Sequence, residues 1–159
     1  MLDENKLKIK APYMATTKGV EVHVAPFFIP ERSVVEQNLY FFAYAVMIVN
    51  RSRWALTLQR RFWIIRDGLK NEEIVDGEGV VGKTPFLDCG ESFTYQSFCP
   101  LKTPTGNMRG HYLVQFHKKD ENESLSPEKV EIPLFFLRTV DILNGPLGAY
   151  SSFSPPNLH

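Results

Sequence analysis

Apolar residues in this chain recur at every second position within short runs, and in no segment do they hold a helical spacing through three turns. Tyr112, Val114 and Phe116 alternate with His111, Gln115 and His117, and Phe93 and Tyr95 are set against Glu91 and Thr94. A period of two sends alternate side chains to opposite faces of a β-strand. Segments 20–29, 39–49, 55–66, 91–98, 110–118 and 129–137 are rich in β-branched and aromatic residues, and shorter strands are expected near 72–76 and 84–87. Turn residues separate them: Asn50-Arg51-Ser52, Asp67-Gly68, Cys89-Gly90 and Pro104-Thr105-Gly106-Asn107.

This pattern predicts an all-β fold, an antiparallel two-sheet sandwich of seven to eight strands with immunoglobulin-like or fibronectin III-like architecture. Its body is expected over residues 18–140. Residues 1–17 then form an N-terminal extension, and 141–159 a C-terminal tail whose prolines at 146, 155 and 156 exclude a regular helix. Residues 119–128 read as a charged, exposed hairpin loop.

Composition narrows the function classes. At 159 residues and 43% apolar content the chain can fill one core. Eighteen basic and eighteen acidic residues cancel, so no global field draws in nucleic acid. The apolar run 40–49 is shorter than the roughly 18–20 residues that span a bilayer, and the polar, mixed-charge start lacks the apolar core of a secretory signal. Two cysteines, Cys89 and Cys99, with no CxxC pair indicate an intracellular, non-secreted protein, with the question of a bridge between them left open. The sequons beginning at Asn50 and Asn122 therefore read as chance matches.

The stretch GEGVVGKT, residues 77–84, satisfies both a P-loop pattern and a dinucleotide fingerprint. Each works only where a buried strand enters and a helix leaves, because the helix N-terminus supplies the N–H groups that hold phosphate. Here the entering segment, Asn71 to Asp76, is half acidic, and Gly90 interrupts any helix starting after Thr84. A Walker B aspartate and a ribose-binding acid are both missing from the expected positions. The glycines are expected to allow a tight, left-handed path between two strands.

Residues 62–112 carry a denser pattern: Trp63, Ile65, Gly77, Gly79, Val80, Val81, Gly82, Pro85, Gly90, Phe93, Tyr95, Ser97, Cys99, Pro100, Leu101, Thr103, Pro104, Gly106, Met108, Gly110 and Tyr112. At these spacings the chain resembles the ApaG domain family, and Tyr44, Asn50, Val130, Ile132, Pro133 and Phe135 extend the likeness over roughly 20–140. The resemblance implies a fibronectin-type β-sandwich. It also implies little chemistry: bacterial members are linked genetically to cobalt tolerance and magnesium flux, and eukaryotic members are modules that bind proteins. Lys83 and Thr84 complete the P-loop pattern at positions where the family accepts other residues, which marks that match as accidental. The tails extend beyond the compact bacterial domain, as in a version adapted to a larger complex.

Metal and hydrolytic chemistry find no support in the residues. His23, His111, His117 and His159 lie at no short ligand spacing, and His111 and His117 are about 20 Å apart along a strand. No serine sits in a GxSxG turn. The expectation is a noncatalytic protein-binding module with no cofactor and no membrane partner, serving as an adaptor subunit of a large complex through sheet edge, loops and tails. Tyr40-Phe41-Phe42 and Phe135-Phe136 place aromatics on both faces of a strand, so some of them need a second surface. Candidate contact residues are Gly77, Gly79, Val80, Val81, Gly82 and Lys83 in one loop, and Lys102, Thr105, Asn107 and Arg109 in the loop after Cys99. RNA is a second partner class, through Lys6, Lys8, Lys10, Arg51, Arg53, Arg60, Arg61, Lys118 and Lys119. The alternatives are a role in divalent-cation homeostasis, or a small-ligand or phosphate site at 77–84.

Overall fold

A computed structural model describes residues 11–118 and 126–139. Nine strands follow in chain order: β1 (Tyr13–Thr17), β2 (Val20–Phe28), β3 (Tyr40–Asn50), β4 (Ala55–Asp67), β5 (Glu72–Glu78), β6 (Phe86–Leu87), β7 (Ser92–Leu101), β8 (Thr105–His117) and β9 (Glu128–Arg138). Two single-turn 3-10 segments, Pro30–Arg32 and Val35–Gln37, join β2 to β3, and no α-helix occurs among the described residues.

The strands form two antiparallel sheets, one ordered β1-β2-β3-β7 and the other β5-β4-β8-β9, with β6 continuing the β5 side of β4. Between them lies the expected core, in which Val20, Val22, Val24, Phe42, Val46 and Ile48 of one sheet meet Leu56, Leu58, Trp63, Tyr112, Val114 and Phe135 of the other. The alternation at Tyr112, Val114 and Phe116 is as the sequence requires: all three are buried. The core also holds polar groups in pairs. The Tyr95 hydroxyl hydrogen-bonds that of Tyr112 across the two sheets. Asn50, fully buried, donates to the carbonyls of Trp54 and Leu87 and accepts from the Ser52 N–H and hydroxyl, closing the turn after β3. Its amide has no room for a glycan, which disposes of that sequon; Asn122 lies outside the described residues.

The two lateral sides of the sandwich differ. On one, β1 and β9 meet: Glu131 N–H donates to Thr17 Oγ1, Lys18 pairs with Glu128, and Tyr13 packs on Phe135. On the other, β7 and the β5–β6 line end their sheets.

Three expectations move. The described residues hold nine strands, not seven to eight, because Tyr13–Thr17 pairs with β2 in full register and so belongs to the sandwich and not to an N-terminal extension ending at 17. β1 escaped the sequence pattern because it is a short edge strand whose faces are never fully covered. Thr105, Gly106 and Asn107 are strand residues of β8, pairing with β4 and β9, and only Lys102–Pro104 cross between the sheets. The proposed tail at 141–159 and the loop at 119–125 lie outside the described residues.

Candidate interaction surface

The glycine-rich stretch begins inside β5 and crosses to β6. Val80 and Lys83 exchange both backbone hydrogen bonds, N···O 2.8 and 2.9 Å, so Val81 and Gly82 are the central pair of a two-residue hairpin turn. Both have positive φ, 43° and 77°, the signature of a type I′ turn. Gly82 adopts this freely, whereas the β-branched Val81 is strained there. Gly79, at φ 63°, is required by space as well: a Cβ would lie 2.2 Å from the Lys83 carbonyl oxygen. Beneath the loop, Arg61 Nη1 donates to the carbonyls of Glu78 and Gly79 at 2.9 and 3.0 Å.

This geometry leaves little for a phosphate. Val80 and Lys83 spend their N–H groups on each other, and the Gly79 N–H donates to Gln59 O at 2.7 Å. β5 is an antiparallel end strand, and the chain after Thr84 returns to β6 against β4, where Leu58 N–H bonds Pro85 O. No helix follows to supply a dipole. The tight, left-handed path expected of these glycines is present.

Of the candidate contact residues, Val81, Gly82 and Lys83 are exposed at the tip, as are Lys102 in the crossing loop and Thr105 and Arg109 on β8. Gly77 and Asn107 are half-buried. Val80 is a correction: it is fully buried in the main core, because the turn folds its side chain inward and displays Val81 instead. Gly79 is buried too. Arg109 reaches Glu72 at 3.6 Å on the outer face of the five-stranded sheet, so the two candidate loops do not form one patch. Thr103, which was not singled out, fixes the crossing: its Oγ1 accepts from Gly68 N–H and donates to Thr105 O.

The basic residues considered for RNA are largely engaged. Arg51 pairs with Glu21, Arg60 with Asp76, Arg61 holds the loop, and Arg53 and Lys118 lie over Trp54. Lys6, Lys8, Lys10 and Lys119 lie outside the described residues. The cysteines are unbridged, Cys89 exposed and Cys99 buried, and burial together with Glu73 pushes the Cys99 thiol up to about 12. Burial likewise pushes the Tyr44 hydroxyl up to about 12 and that of Tyr95 well above its ordinary value. At neutral pH these groups therefore stay protonated and uncharged. His111 stacks on Phe62, and burial with nearby Lys129 lowers its pKa. His23 is buried against Glu21, and His117 bonds Thr57. Among the described residues no three His, Cys, Asp or Glu side chains gather to hold a metal ion, and no helix is long and apolar enough to cross a membrane.

Two features were not singled out from the sequence. One is the flank of β7 that no described strand pairs. The other is the outer face of the four-stranded sheet, where Ala25, Phe27, Ala45, Met47 and Val49 form a second buried apolar cluster. Its signal was present: the run 40–49 is apolar at both parities, which marks a strand covered on both faces.

A sequence profile of the ApaG domain matches residues 30–116. The chain belongs to the ApaG domain family. Curated ApaG proteins share its sequence over most of their length: that of Methylobacterium nodulans is 44% identical over 115 residues, covering 72% of this chain and 88% of the relative. The ApaG protein of Allorhizobium ampelinum is 42% identical over 130 residues, covering 82% and 95%. A crystal structure described as the putative ApaA protein of Bordetella pertussis superposes with a TM-score of 0.69 at 40% identity, covering 80% of this chain and 94% of that one. In this ApaG domain Gly79 and Gly82 serve the turn described above.

Proposed function

We propose that this ApaG domain is a noncatalytic protein-binding module that accepts an extended segment of a partner along the flank of β7 that no described strand pairs. The observation that carries the reading is the chemistry of that edge. β7 pairs only with β3 among the described strands, and its residues are all uncharged. Asn50 N–H donates to Glu91 O, so odd-numbered positions bond β3 and even-numbered ones turn outward. Pro100, which has no N–H to give, falls in the outward set. Ser92, Thr94, Gln96 and Phe98 thus aim backbone donors away from the sheet, as strand addition requires. The β5 end of the other sheet is different: Glu72, Glu73, Asp76 and Glu78 give it the charge that discourages pairing.

Phe98, half-exposed beside Phe41 with Arg32 over both rings, offers an apolar anchor at one end of the edge. On this reading the domain is an adaptor subunit of a larger assembly, and two unbridged thiols suit an intracellular one. The ion pairs of Arg51 and Arg60 speak against RNA as the partner.

The test is capture of the native complex, identification of the retained protein, and rebinding of that purified protein to Thr94→Pro. Proline at an outward position removes one donor without breaking the β3 ladder. Affinity should fall at least about 10-fold with the fold intact, in keeping with loss of main-chain pairing. Unchanged affinity would remove β7 as the docking edge.

A further inference from the structure

One end of the β7 edge is held under a positive charge, and that charge narrows the chemistry of what can dock there. Ser92–Leu101 contain no charged residue, but the guanidinium of Arg32 lies over the rings of Phe41 and Phe98, 5.4 and 5.7 Å from their centroids. The two rings are in contact, with centroids 5.5 Å apart, where Phe98 stands opposite Ala43 and Phe41 opposite Pro100. Backbone bonds to β3 fix the segment that carries Arg32. Ile29 N–H donates to Phe41 O at 2.8 Å, Arg32 N–H donates to Ile29 O at 3.2 Å, and Ser33 Oγ accepts from Phe41 N–H while donating to Ile29 O. Among the described residues no carboxylate or carbonyl accepts from the Arg32 side chain, whereas Arg51, Arg60 and Arg109 each face an acid.

We propose, on the reading of β7 as a docking edge, that the added segment carries an aspartate or glutamate whose side chain lies beside Phe98 and pairs with Arg32. A strand added there runs about 4.8 Å from β7, and the residue it sets opposite Phe98 or Pro100 puts its side chain on the face that Phe41 and Phe98 occupy. A carboxylate matches the planar fork of a guanidinium with two parallel hydrogen bonds. An arginine already placed by its rings offers that fork at a reduced cost in side-chain ordering.

The remaining charges decide where along the edge the acid belongs. At the Ser92 end Asp88 and Glu91 are exposed, and a Glu91 carboxylate oxygen accepts from Asp88 N–H, so a partner acid there meets like charge. Between the two ends, Thr94 and Gln96 provide no cation to receive one. Glu31 and Glu36 are exposed on the segment that carries Arg32, and neither forms an ion pair among the described residues. With these acids on either side of one guanidinium in the chain, the spot suits the single charge of a carboxylate better than the nearly double charge of a phosphate.

A displayed library of short random peptides with blocked C-termini, selected on the full chain, is the test. Peptides retained by the native chain and lost to Thr94→Pro are bound at the edge, and these should be enriched in Asp or Glu at one fixed position. For one such peptide, Arg32→Gln should weaken binding by about 5-fold, and should leave unchanged the weaker binding of the same peptide with Gln in place of its acid. Arg32→Glu should exchange the preference for Lys or Arg at that position. Arg32 is exposed, so both variants should unfold at the urea midpoint of the native chain. Edge-bound peptides with no acidic preference, or a preference that both Arg32 variants leave untouched, would overturn the pairing while β7 stands as the edge. So would a preference met only by a free C-terminal carboxylate or a phosphorylated residue. If no peptide is retained in a Thr94-dependent way, or if a dimer joined through β7 admits none, the edge and the pairing fall together.

Discussion

Ala45 on β3 and Ile64 on β4 sit near the middle of the two outer faces of the sandwich, in different surroundings. Beside Ala45 are Ala25 and Met47, and the whole row is buried. Beside Ile64 are Ile74, 64% exposed, and Arg109, which pairs with Glu72, while Arg60 and Asp76 pair nearby. Two antiparallel sheets of one domain have thus been given opposite exteriors. The difference teaches that outward residues at the middle of one sheet are buried while those of the other meet water, so substitutions of the same kind should have unequal costs.

The sharpest break of this comparison is a charge placed on each face. Met47→Asp buries a carboxylate among Ala25, Ala45 and Val49 and should cost more than about 3 kcal/mol. Ile74→Asp should stay within about 0.5 kcal/mol, as exposed substitutions do. Urea unfolding midpoints measured side by side decide it, and equal losses would erase the distinction.

On the open side the exception is the loop that leaves β5. Gly79→Ala drives a Cβ into the Lys83 carbonyl at 2.2 Å and at positive φ, so a loss of about 2 kcal/mol is expected from the same unfolding measurement. Val81→Asn points the other way. Asparagine tolerates the left-handed conformation that Val81 is forced into, and a gain of about 0.5–1 kcal/mol should appear as a higher Tm. No change in Tm would mean that the turn is relaxed as it stands.

The smallest effect concerns pH. His111, on the charged exterior, has a folded pKa below its ordinary 6.5, with burial the leading cause. The unfolded chain therefore takes up its proton first, so this contribution to stability is complete above the ordinary value and is lost as pH falls through it toward the folded value. His111→Gln should flatten the stability profile in that window. An identical slope in the variant would show that His111 has no part in it.

The sequence made the core legible for a local reason: period-two rows such as Tyr112, Val114 and Phe116 need no knowledge of neighbours to assign a face. It also marked the nucleotide patterns as out of context, because the acidic entry strand and Gly90 are local features. The candidate site was read less well. Val80 and Val81 are adjacent valines of one loop, and only the hydrogen-bonded turn between Val80 and Lys83 decides which is buried and which displayed. Asn107 looks like a turn residue until β4 and β9 pair with it on both sides, and Thr105 until β9 pairs with it.

By itself, then, the chain determined strand positions, the inward row of each strand, and the ApaG pattern that the comparisons bear out, since these rest on side-chain alternation and on residue spacing. Tertiary structure alone decided that β1 joins the sheet, that β7 and β5 are the ends, and that the second apolar row of β3 lies on an outer face. Those are matters of which strands pair and what packs above them, and pairing joins residues far apart in the chain, where no local pattern reaches.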